Sequence, residues 1–138
     1  MNQQVSLFKF PEEPKVILRE IRNFLAGRAV GITRDEALLE EVIKILFCLK
    51  SPVFRISDFT NDEVKNAILL RKVFKQIAVS YPEFYTKSEE ILLDPQSLSY
   101  VAEGLQKALS YNEKKFDMVG DCYELFIGNS IKGQEGQF

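Results

Sequence analysis

Apolar residues recur along this chain at intervals of three and four, and the recurrence stops wherever capping residues, glycine or proline stand. Ile17, Ile21, Phe24 and Leu25 mark one face of a helix expected over 14–28. Pro14 suits its first turn, where the missing N–H is not needed, and Gly27 and Gly31 bracket its end. Thr33-Arg34-Asp35-Glu36 has the form of a capping box that opens a second helix reaching about Lys50. Leu39, Val42, Ile43, Leu46, Phe47 and Leu49 give that helix a stripe broad enough for a central position. Ser51-Pro52 ends it, because the residue before proline is pushed out of the helical region.

Val53 to Phe59 predicts an extended connector or one short strand. A second capping box, Thr60-Asn61-Asp62-Glu63, opens a helix reaching about Ser80. Val64, Ile68, Val73 and Ile77 are expected on its buried side, with Lys65, Arg71, Lys72 and Lys75 on its exposed side. After the aromatic segment Tyr81-Pro82 to Tyr85, Asp94-Pro95 starts another helix. It carries Leu98, Val101, Ala102, Leu105, Ala108 and Leu109 on one face and ends at Asn112. A last helix from about Glu113 places Phe116, Val119, Gly120, Tyr123, Phe126 and Ile127 together, and a glycine-spaced tail runs to Phe138. The expected fold is all-α, an irregular bundle of about five to six helices. Residues 1–10 are expected to form an N-terminal arm, 11–132 the helical domain, and 133–138 a linker with the first residues of a further domain.

Composition narrows the class. With 138 residues, 46% hydrophobic and 28% charged, the chain has the make-up of one globular domain able to bury a core. A formal net charge of −2 speaks against strong autonomous nucleic-acid affinity but allows a local basic face. There is no histidine, and Cys48 and Cys122 stand far apart, so neither a zinc spacing nor a histidine-based acid, base or ligand exists. The two thiols fit buried core positions of a reduced, cytoplasmic protein. The start has no signal-peptide pattern, and the apolar segment from Val42 to Leu49 is interrupted by Lys44 and too short to span a membrane.

Candidate chemistry is sparse. No glycine-rich phosphate loop and no nucleophile–base arrangement is present, so no catalytic, cofactor-binding or metal residue is assigned. The acidic pairs Glu12/Glu13, Asp35/Glu36, Glu40/Glu41, Asp62/Glu63 and Glu89/Glu90 are read as first-turn charges and solvated faces. Two basic clusters remain: Lys15, Arg19, Arg22 and Arg28, and Lys65, Arg71, Lys72 and Lys75. Helical spacing puts members of each on one face, as contacts to successive phosphates require. A solvated face with i, i+4 partners is the plainer alternative for any one of them.

Asp117, Val119, Gly120, Asp121, Tyr123 and Glu124, followed by Gly136-Gln137-Phe138, resemble adenine-specific DNA methylases. More narrowly, they resemble the M (modification) subunit of type I restriction–modification systems. Leu25-Ala26-Gly27-Arg28, then Thr33, Asp35, Glu36 and Ala37, the helix through Ile45-Leu46-Phe47, and Phe54-Arg55 extend the likeness back to about Ile21. The resemblance implies an N-terminal helical domain that engages double-stranded DNA. It also implies docking on a specificity subunit, a second M subunit and, where the system has one, a restriction subunit. The family's S-adenosylmethionine motif and its Asn/Asp-Pro-Pro-aromatic motif are absent here and would lie beyond Phe138. Cofactor and catalysis are thus expected in the parent protein and not in these residues. The competing expectation is a module that docks a partner protein without touching DNA.

Overall fold

The computed structural model describes residues 13–28 and 35–110, and these are all helical apart from their connections. Four α-helices follow in order: α1 (Pro14–Arg28), α2 (Asp35–Lys50), α3 (Glu63–Ser80) and α4 (Pro95–Leu109). The expected all-α class holds, with four helices among the described residues against the five to six anticipated. The arm at 1–10, the capping box at Thr33, the closing helix from Glu113 and the tail to Phe138 lie outside the described residues.

α2 and α4 pack on each other, and each also packs on both α1 and α3. α1 and α3 therefore flank this central pair. The shared core takes Ile17, Leu18, Ile21 and Leu25 from α1 and Leu38, Leu39, Val42, Ile45, Leu46 and Cys48 from α2. α3 adds Ala67, Leu70, Val73, Phe74, Ile77 and Ala78, and α4 adds Leu98, Val101, Ala102, Leu105 and Ala108. Phe24 stacks on Tyr100 at 3.9 Å between ring centroids, which ties α1 to α4. Cys48 meets Leu70, and four residues earlier Lys44 meets Phe74 four residues later, so α2 and α3 run antiparallel.

Three local expectations change. The stretch from Val53 to Phe59 is no strand: it closes as a 3-10 turn, Ile56–Asp58, with Phe59 N–H donating to the Ile56 carbonyl at 3.0 Å. The cap of α3 is Asp62 and not Thr60; its carboxylate accepts the N–H groups of Val64 and Lys65 at 3.0 and 3.2 Å. Thr60 instead pairs with the buried Asn66. The Asn66 amide accepts from Thr60 N–H and donates to Thr60 C=O, both at 2.8 Å, as a neighbouring strand would. The third change is the phase of α3 and α2. Val64 and Ile68, expected inside, are 57% and 61% exposed, and Phe47 on α2 is 41% exposed. The buried arcs turn toward Leu70 and Phe74 on α3 and toward Leu38 and Ile45 on α2. Val73, Ile77 and the whole face expected for α4 lie inside or against the core as anticipated.

Candidate functional site

The two basic clusters sit on helices that share no substantial packing, with α2 and α4 between them. On α1, Lys15 and Arg19 point to solvent one turn apart, while Arg22, in the next turn, is half-buried. Arg28 ends α1, and its side chain lies outside the described set. On α3, Lys65, Lys72 and Lys75 are exposed. Arg71 departs from the expected exposed face. It stands at the edge of the outer arc, and its guanidinium bends back to donate to the carbonyls of Leu93 at 2.6 Å and Ile91 at 3.4 Å. The clusters thus form two separate faces; among the described side chains, the first presents two exposed cations and the second three.

The inward turn of Arg71 belongs to a polar clamp that the sequence reading missed. Glu41, read as part of a solvated pair, is only 2% exposed. Its carboxylate accepts the N–H groups of Leu92 and Leu93 at 2.6 and 3.0 Å and pairs with Lys44 at 3.1 Å. Lys44, also buried, donates to the Glu90 carbonyl at 2.9 Å, lies 3.6 Å from the Glu89 carboxylate and sits 5.6 Å above the Phe74 ring. Between α3 and α4 the chain from Glu90 to Leu93 has no helix of its own, and buried peptide groups without partners are costly. Side chains from α2 and α3 supply those partners from two sides. Lys44 lies between the Glu41 and Glu89 carboxylates, and Arg71 brings a second cation to the carbonyls of the same connection. Helical spacing carried the signal: positions 41 and 44 share the side of α2 that also holds Leu38, Ile45 and Cys48.

Other reactive groups are quiet. Burial pushes the Cys48 thiol up to about 12, and its Sγ lies 3.5 Å from the Leu70 carbonyl, so it stays a protonated core residue. Burial also raises the Tyr100 hydroxyl above its ordinary range, with the Glu20 charge adding to it. Among the described residues no group of histidine, cysteine, aspartate or glutamate is placed to hold a metal ion, and no helix is long and apolar enough to cross a membrane. Comparisons with protein families, with curated proteins and with solved structures find no match to the chain.

Proposed function

We propose that this chain is the N-terminal helical domain of an adenine-specific DNA methyltransferase of the type I restriction–modification kind. In this reading the parent protein methylates adenine with S-adenosylmethionine, and the helical domain engages DNA and joins subunits without itself catalysing. The observation that carries it is the run from Asp117 to Glu124 followed by Gly136-Gln137-Phe138, the pattern that in the M subunits joins the helical to the catalytic domain. Methylating an adenine amino group needs the base out of the stack and in a pocket beside the cofactor. A domain that grips backbone phosphates holds the duplex in register for that step. Lys15 and Arg19, on one exposed side of α1, are the first choice for such contacts. Lys65, Lys72 and Lys75 on α3 come second, because exposed Val64, Ile68 and Val79 lie among them. Those apolar neighbours favour a second reading for α3, docking on a partner subunit.

The encoding gene provides the test. Beyond Phe138 it is expected to carry an acidic residue or proline ahead of spaced glycines, and then an Asn-Pro-Pro-aromatic motif. A reading frame that continues without either contradicts the assignment.

A further inference from the structure

α3 is held by one face and presents an unusual other one. Leu70, Phe74 and Ile77 look inward. On the outside, Val64, Ile68, Lys72, Lys75 and Val79 follow at steps of four, four, three and four residues, which confines them to an arc of roughly 80°. All five are exposed, with Val64, Ile68 and Val79 at 57%, 61% and 62%. Lys65 flanks the arc. The outer face of a helix packed on a core is ordinarily polar. Here three β-branched apolar residues line up along a stripe about 22 Å long, with two ammonium groups at its middle. Single exposed apolar residues need no explanation, but a line of them marks a contact surface.

We infer that this face docks an α-helix of a partner protein, with acidic side chains at its centre and apolar side chains toward both ends. The inference rests on the assembly half of the proposal above and is independent of DNA binding. Rows of residues four apart make a ridge that fits the groove of a second helix. A wholly apolar partner would leave Lys72 and Lys75 desolvated and unpaired, whereas a phosphate backbone would leave Val64, Ile68 and Val79 with nothing to cover them. A second copy of this chain fits less well. A two-fold pair closed stripe on stripe would set Lys72 and Lys75 of one copy against the same lysines of the other, with no acidic residue among Val64, Ile68, Lys72, Lys75 and Val79 to pair them.

The test uses the whole chain and a fluorescent, helix-stabilised peptide of about five turns, carrying glutamates in its middle turns and leucines at its ends along one face. A twin peptide carries lysines in place of the glutamates. Fluorescence anisotropy is expected to show binding of the acidic peptide, weakened at least tenfold by Ile68→Asp. The pair Lys72→Glu and Lys75→Glu should lose the acidic peptide and gain its lysine twin. All substitutions fall on exposed positions, and unchanged thermal melts by circular dichroism verify that the fold persists. Equal binding of both peptides, or binding indifferent to Ile68→Asp, overturns the inference. So does sedimentation showing that the chain alone self-associates and that Ile68→Asp abolishes it. Lys15→Glu with Arg19→Glu reports on the DNA half alone, since it should leave peptide binding unchanged.

Discussion

Glu41 holds two backbone amides and one ammonium at once, from a position only 2% exposed. Removing one member of a buried charged set leaves the others desolvated and unpaired, at a typical cost of about 3–5 kcal/mol. Glu41→Ala should therefore lose about 3 kcal/mol or more in urea unfolding, with Glu41→Gln in between because one oxygen can still accept. Leu92→Ser should stay within about 0.5 kcal/mol, since the Leu92 side chain is exposed and only its backbone is held. A loss below about 1 kcal/mol for Glu41→Ala would show that the clamp does not hold the connection. Only the inward side of positions 41 and 44 was legible beforehand; the partners they hold were not, for a physical reason. An acidic pair near the start of a capped helix has the same sequence whether water or a neighbouring loop surrounds it. The apolar residues around positions 41 and 44 pointed inward, but the partners were backbone groups about fifty residues away, which carry no sequence mark.

At the scale of elements, starts and stops were legible because caps and prolines act locally. Asp94-Pro95 opens α4 as expected, with the Asp94 carboxylate accepting Ser97 N–H at 3.1 Å. Phase was legible only where one face is apolar. α4 has one such face, and its register followed directly. α3 has apolar residues on both sides, so Val64 and Ile68 competed with Leu70 and Phe74 for the inside, and the sequence alone favoured the wrong pair. The true register makes a sharp prediction. Leu70→Ala should cost about 2–5 kcal/mol through its cavity, while Val64→Ala and Ile68→Ala should change stability by less than about 0.5 kcal/mol. Urea midpoints of the three variants decide it, and losses at Val64 and Ile68 as large as the loss at Leu70 would contradict the face assignment. The two-faced character of α3 that misled the register is also what gives the helix a surface to offer.

Across the whole molecule, α2 and α4 form the central pair and leave α1 and α3 on its flanks, each with its own exposed cations. The all-α class was written in the periodicity, and so was the membership of α1 and α4 in the core. The separation of the two basic faces was not, because spacing along each helix says nothing of which helices meet. That separation divides the proposed work: α1 toward phosphates, α3 toward a protein partner, so that both can be engaged together. The net charge of the chain, −2 overall, limits the proposed DNA contacts to a few local ones. Each phosphate contact contributes about 0.9 to the slope of log K against log salt. The most direct measurement is therefore duplex-DNA binding by the full-length protein over a salt series, with and without Lys15→Glu and Arg19→Glu. The expected result is weaker binding with a slope shallower by about 2. Affinity and slope both unchanged would contradict the assignment of α1 as a DNA-engaging face.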